Sequence, residues 1–262
     1  MSNFCLAVIQ FEPSLGNPGE TISRLRPLMK QASGADLLVL PELANSGYNF
    51  NDFDQAYDLS ENPGKSAFVD FLVSQSAQFD FSVVTGFNER NGDQIYNSAL
   101  LLDGDGIKGK YRKIQLFMNE KDYFQPGDLK PGIFDVKGVS VGMLICFDWV
   151  FPELWGGLAR KGADIICHPS NLVLPGKAQK AIPVWAMVNR IFIATANRTG
   201  TEGKLTFTGN SLIAGPSGQV LTSASQDQPE VILAECDISL ARDKMMTPRN
   251  HIFNDRRPEF YG

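Results

Sequence analysis

Apolar residues run along the chain in short unbroken stretches, separated by segments with helix signals, a pattern of buried strands alternating with helices from end to end. FCLAVIQF (4–11) is a continuous apolar strand, and Asn17-Pro18-Gly19-Glu20 then opens a helix. Asn17 is the candidate N-cap, Pro18 takes the first helical position and Glu20 completes a loose capping box. That helix is predicted to reach about Ser33-Gly34 and to lead into DLLVL (36–40), a second buried strand. A helix from Lys65 to Phe79 feeds FSVVTGF (81–87). IYNSALLLD (95–103) and GKYRK (109–113) then read as a hairpin about Gly104-Asp105-Gly106.

The second half repeats the scheme. VSVGMLICF (139–147) is a strand, Pro152-Glu153 opens a helix ending at Gly162, and ADIICHPS (163–170) is the next strand. A helix within 177–190 is started or kinked by Pro183, and IFIATAN (191–197), NSLIAG (210–215), QVLTSA (219–224) and EVILAECD (230–237) complete the set. Two strand-rich halves with helices between suggest an α/β protein, two sheets face to face with helices outside, forming one core and one domain over 1–262. The polar, irregular segment 238–262, with Phe260-Tyr261 at its end, is predicted to be a C-terminal arm packed on a partner subunit, or else disordered.

Composition narrows the function. With 43% hydrophobic and 20% charged residues in 262, the chain can bury about three quarters of its unfolded surface without a metal or disulfide staple. A net charge of -5 gives a polyanion no footprint, so nucleic acid is not expected as a partner. No apolar run approaches the roughly 20 residues of a membrane span, and residues 1–11 lack a cationic start, so a cytoplasmic protein is expected. Of the four cysteines, Cys5, Cys167 and Cys236 sit inside apolar strands. Only two histidines exist, His168 and His251, too few for most zinc sites and a poor basis for a Cys–His pair. Any nucleophile here needs another base.

Three residues share a strand-end position: Glu42 after DLLVL, Lys113 at the end of the hairpin, and Cys146 at the end of VSVGMLIC. Functional groups gather at the carboxyl ends of strands in such sheets. Each has a bland reading, as a solvated loop acid, one more charge on a basic hairpin, and a core thiol. Cys146, however, precedes a turn and a Pro-started helix (CFDWVFPE), where unpaired N–H groups and the helix dipole favour a thiolate. The Phe147 N–H is placed to donate to an oxyanion. A thiol, a carboxylate and an ammonium can serve as nucleophile, base and oxyanion-stabilising cation without histidine.

LPEL (40–43), GKYRKIQLF (109–117) and LICFDWVFPE (144–153) resemble the three signature segments of the nitrilase superfamily of carbon–nitrogen hydrolases, in the same order. HPSN (168–171), Asn189-Arg190 and GNSLIAGPSG (209–218) extend the resemblance over nearly the whole chain. It implies a four-layer α-β-β-α sandwich, a homodimer or higher oligomer, and a triad of Glu42 as general base, Lys113 as cation and Cys146 as nucleophile. It also implies a second glutamate, Glu120, that helps position the substrate, with Asn171 and Phe117 lining the pocket. Tyr48 and Trp149 are further aromatic candidates for its wall, Trp149 equally for helix–sheet packing. Many members carry Arg where this chain has Val150, and the CWE run of the true nitrilase branch is absent.

The expected reaction is hydrolysis of a small amide to acid and ammonia through a cysteine acyl-thioester, with no metal or organic cofactor. Nitrile, dinitrile or N-carbamoyl hydrolysis by the same triad is the alternative. A pocket walled by Trp149, Phe117 and Tyr48 would be narrow and apolar, favouring short neutral acyl groups. A metal-dependent phosphoesterase needs clustered metal ligands that two histidines do not supply, and a non-catalytic scaffold leaves the three triad residue types without a purpose.

Overall fold

The computed structural model describes residues 4–260. Its first half contains β1 (Phe4–Gln10), α1 (Pro18–Gln31), β2 (Leu37–Val39), α2 (Phe53–Asp58), α3 (Ala67–Phe79), β3 (Ser82–Asn91), β4 (Gln94–Asp103) and β5 (Gly106–Arg112). The short α4 (Glu120–Tyr123) leads to β6 (Ile133–Val136), β7 (Val139–Met143), α5 (Pro152–Arg160), β8 (Ile165–Pro169), α6 (Lys177–Asn189) and β9 (Phe192–Ala196). A small hairpin, β10 (Thr201–Glu202) and β11 (Leu205–Thr206), precedes β12 (Leu212–Ala214), β13 (Val220–Ser223) and β14 (Glu230–Cys236). Beyond lie α7 (Ser239–Arg242) and a second small hairpin, β15 (Met245–Thr247) with β16 (Asn250–His251).

Two six-stranded sheets result, ordered β14-β1-β2-β3-β4-β5 and β13-β12-β9-β8-β7-β6. Each has three parallel strands at its heart, β1-β2-β3 in one and β7-β8-β9 in the other. Counted from opposite edges, the sheets show the same order of pairings: antiparallel, parallel, parallel, antiparallel, antiparallel.

The period-two alternation of strand side chains explains the layers. On β1, Phe4, Leu6 and Val8 join the cluster holding Val141, Met143 and Ile165 of the opposite sheet. Cys5, Ala7 and Ile9 on the other face pack with Leu25 and Met29 of α1 and Phe68 and Leu72 of α3. Both faces are covered, so the inner strands read as uninterrupted apolar runs. Trp155 and Leu158 of α5 and Ala186 of α6 are buried against the second sheet. Helix, sheet, sheet and helix thus form the four-layer α-β-β-α sandwich. No helix among the described residues is long and apolar enough to cross a membrane.

Local signals held at α1, where the Asn17 side chain accepts from the Glu20 N–H at 3.0 Å. Pro183 lies inside α6 rather than at its start, within the two alternatives expected for it. Three expectations need correction. β7 stops at Met143, and Cys146 starts a separate 3-10 turn, Cys146–Val150, rather than ending the strand. The segment 230–237 does not complete the second sheet, because β14 crosses back to pair with β1 along seven residues from Phe4↔Cys236 to Gln10↔Glu230. The stretch after 238 is also more ordered than its polar composition suggests. Arg242 pairs with Asp164 at 2.9 Å, and the Lys244 ammonium donates to the carbonyls of Asn189 and Arg190. Tyr261 lies outside the described residues.

Candidate active site

Glu42, Lys113, Cys146 and Asn171 lie in loops that follow β2, β5, β7 and β8, so the strand ends of both sheets deliver them to one place. Glu42 is fully buried. Its Oε1 accepts from Lys113 Nζ at 2.7 Å and from Asn97 Nδ2 at 2.7 Å, while its Oε2 makes no hydrogen bond within the protein. Lys113 Nζ also donates to Glu120 Oε1 at 2.8 Å. The same Oε1 accepts from the Tyr48 hydroxyl at 2.8 Å, and Glu120 Oε2 from the Phe117 N–H at 3.2 Å. One ammonium therefore bridges two carboxylates out of reach of water.

This geometry sets the charges. Burial penalises the Lys113 ammonium, but the Glu120 and Glu42 carboxylates outweigh it and hold the lysine charged, above its usual range. Burial pushes Glu120 up to about 7, with Lys113 pulling it down and Glu42 pushing it further up. The Cys146 thiol is raised well above its ordinary value by burial and by Glu42, while Lys113 and a hydrogen bond from the Asn171 backbone oppose this. The sequence suggested a thiolate favoured by the helix start. Burial and two neighbouring carboxylates reverse that, so the resting Cys146 side chain is a neutral thiol.

Cys146 has a left-handed backbone, with φ at 42°. A non-glycine residue holds that conformation only when its surroundings fix it. Here the His168 Nε2 lies 2.9 Å from the Cys146 carbonyl oxygen and its Nδ1 lies 3.1 Å from Thr195 Oγ1. A carbonyl only accepts, so Nε2 carries the proton and Nδ1 accepts from the threonine. Burial holds this histidine down to about 4 and keeps it neutral. The turn is further tied by Asp148, whose Oδ2 accepts from the Ile145 N–H and the Tyr111 hydroxyl, each at 2.8 Å. Asn171 Nδ2 donates to the Glu42 carbonyl at 2.9 Å, joining a loop of each sheet. On β3, a Cβ at Gly86 would lie 2.2 Å from the Glu42 Cα, so only glycine lets that loop settle there.

Cys146 borders a chamber of about 280 Å³ with Phe117, Phe147, Trp149 and Asn171. Glu120 and Tyr48 border a neighbouring cleft of about 500 Å³, and Phe117 and Val173 border both. Every residue expected in the pocket wall therefore borders one cavity or the other. Trp149 also packs against the core, and its carbonyl accepts from the Trp185 indole at 2.9 Å. Trp149 and Tyr48, expected to wall one pocket with Phe117, border different cavities that meet at Phe117 and Val173.

Several contributors escaped the sequence reading. Asn97 holds Glu42, and His168 holds Cys146. Glu202, from the β10–β11 hairpin, accepts from the N–H groups of Tyr48 at 3.0 Å and Asn49 at 2.7 Å, and pairs with the fully buried Arg198. Glu202 so fixes the loop that aims Tyr48 at Glu120. The glycines in NRTGTEG mark a turn there, but no short-range signal links it to Tyr48.

Fold and cluster together define the class, an α-β-β-α hydrolase whose core holds a cysteine, a lysine and two glutamates. The chain belongs to the carbon–nitrogen hydrolase family, whose profile matches residues 5–244. It is 43% identical over 258 residues to a nitrilase from Pyrococcus abyssi, covering 98% of each chain. It is 30% identical over 263 residues to a 2-oxoglutaramate amidase from Bacillus subtilis, again covering 98% of each. A solved amidase from Nesterenkonia sp. AN1 carries the acetamide moiety of fluoroacetamide added covalently at its active-site cysteine. It superposes with a TM-score of 0.82 at 26% identity, over 99% of this chain and 95% of that one. This protein is accordingly an enzyme of the nitrilase superfamily, with amidases as its structural neighbours.

Proposed function

We propose that the chain hydrolyses a small amide to a carboxylic acid and ammonia through a Cys146 acyl-thioester. The observation that carries this reading is the free Oε2 of Glu42, a buried carboxylate oxygen beside a neutral thiol whose other oxygen is occupied by Lys113 and Asn97. Glu42 takes the thiol proton as the sulfur attacks the carbonyl carbon. The carbonyl π electrons move to oxygen and form a tetrahedral oxyanion. Lys113 has three N–H donors and spends two on Glu42 and Glu120, leaving the third for that oxygen. The Phe147 N–H, at the start of the Cys146–Val150 turn where the first donors lack a partner within the turn, supplies a second. Collapse breaks the C–N bond, Glu42 returns its proton to the leaving nitrogen, and ammonia departs. Water, deprotonated by Glu42, then cleaves the thioester, and the proton returns to sulfur. Glu120, held by Tyr48 and Phe117, fixes the ammonium and the substrate.

The 43% identity to a protein named nitrilase favours nitrile hydrolysis as a second reading. The proposed oxyanion donors support the amide reading over it, since a nitrile gives a thioimidate nitrogen that must be protonated rather than an oxygen that must be held. The test is the pair of specificity constants for propionamide and propionitrile, with Cys146→Ala as blank. A higher constant is expected for the amide, and a higher one for the nitrile would replace this reading with the second.

A further inference from the structure

The cleft beyond Phe117 adjoins the chamber at Cys146, and its walls bear on what it accepts. Of the two cavities that meet at Phe117 and Val173, the cleft is the roomier and the chamber at Cys146 the smaller. Tyr48, Phe50, Phe117, Tyr123 and Phe124 supply aromatic surface, and Leu205 of β11 closes one side. The rings are locked together. Phe50 meets Tyr123 and Phe124 edge to face at 6.1 and 6.2 Å between centroids, and Tyr48 meets Phe207 at 5.9 Å.

The tyrosine hydroxyls and the Asn49 amide of this wall are already committed, while Asn119 adds a polar group at the cleft's edge. The Tyr123 hydroxyl donates to the Phe50 carbonyl at 3.0 Å, the Tyr48 hydroxyl to Glu120 at 2.8 Å, and the Asn49 amide to the Glu202 carbonyl at 3.0 Å. Apart from Asn49, Asn119 and Glu120, what faces the cleft is apolar, most of it ring surface. Among the described residues its one charged wall residue is Glu120, whose oxygens already accept from Lys113, Tyr48 and Phe117. No lysine or arginine among the described residues borders either cavity. An acyl group bearing a carboxylate would lose its hydration beside a second carboxylate, and the nearby Lys113 ammonium is already shared between Glu120 and Glu42. An aryl group would gain offset or edge contacts with fixed rings.

We propose that this cleft is the acyl subsite, and that the enzyme selects amides of uncharged aryl-alkyl acids over short aliphatic amides and over amides bearing an acyl-chain carboxylate. The inference rests on the amidase reading above and names its substrate class.

The experiment compares specificity constants of the full chain for 3-phenylpropionamide, propionamide and succinamic acid, with Cys146→Ala as blank. The expected order is 3-phenylpropionamide above propionamide by about tenfold or more, with succinamic acid last. A second arm places a cation in the wall by Leu205→Arg, at a half-buried position on a two-residue strand where a long side chain can reach past its neighbours. This variant is expected to raise the ratio of succinamic acid to 3-phenylpropionamide by about tenfold or more. Propionamide or succinamic acid as the best substrate, or an unmoved ratio in Leu205→Arg, overturns the inference while leaving the amidase reading intact. Absence of any turnover above the blank overturns that reading, and this inference with it.

Discussion

Replacing Lys113 with alanine would leave Glu42 and Glu120 side by side in the core without a counter-charge. Removing one member of a buried ionic cluster costs about 3–5 kcal/mol, and urea unfolding of Lys113→Ala is expected to show a loss of that order along with inactivity. Glu42→Gln is milder for the fold, because an amide oxygen can still accept from Lys113 and Asn97. It removes the proposed proton carrier, so kcat should fall by about 100-fold or more, and a smaller loss would refute the assignment of the base. His168 gives a pH signature. Its ordinary pKa of 6.5 falls to about 4 in the fold, so between those values the unfolded chain binds more protons than the native one. Stability due to this group is complete above about 6.5 and fades as the pH drops towards 4. Glu120 works in the opposite sense, raised from 4.5 to about 7, so its neutral form favours the fold most at the acid end of that window. Between pH 7 and pH 5 the native protein should lose about 2 kcal/mol more unfolding free energy than His168→Gln, where this titration is absent. Glu42, Lys113 and Cys146 could be singled out in the chain because each follows an apolar or hairpin strand within a recognisable segment. His168 and Asn97 could not, since a histidine or asparagine inside a strand carries no mark of which loop it will hold.

At the scale of elements, legibility followed covering. The inner strands, buried on both faces, announced themselves as apolar runs, and α1 did so through its Asn17 cap. β6 has only one buried residue in four, and α2 is a six-residue turn with one buried side chain, so neither has a periodicity to read. The strand boundary near Cys146 was misplaced because Leu144 and Ile145 remain buried after the ladder ends. The β10–β11 hairpin is the element whose importance was hardest to foresee. Glu202→Ala would strip the backbone N–H groups of Tyr48 and Asn49 of their acceptor and leave the buried Arg198 without its carboxylate partner. A loss of about 3–5 kcal/mol is expected, with a lowered kcat as Tyr48 drifts from Glu120. Thermal melts and turnover measured together check this, and unchanged values of both would show that the hairpin is dispensable.

At the scale of the molecule, the two sheets are built alike but completed differently. The second sheet is drawn from a continuous stretch between β6 and β13, whereas the first needs β14, which follows all of the second. A chain cut before Glu230 should therefore expose β1 as a bare apolar edge, and aggregation or loss of soluble protein is expected on expression. A soluble, cooperatively folding truncation would contradict this.

The return of β14 to β1 also has a consequence in time. A chain emerging from the ribosome delivers β1 first and its antiparallel partner only after some two hundred further residues. At synthesis rates of about 5–20 residues per second, the first sheet waits on the order of ten seconds or more with one edge open. Throughout that interval the nascent strand FCLAVIQ is a natural client for whatever cellular machinery shields unpaired apolar edges.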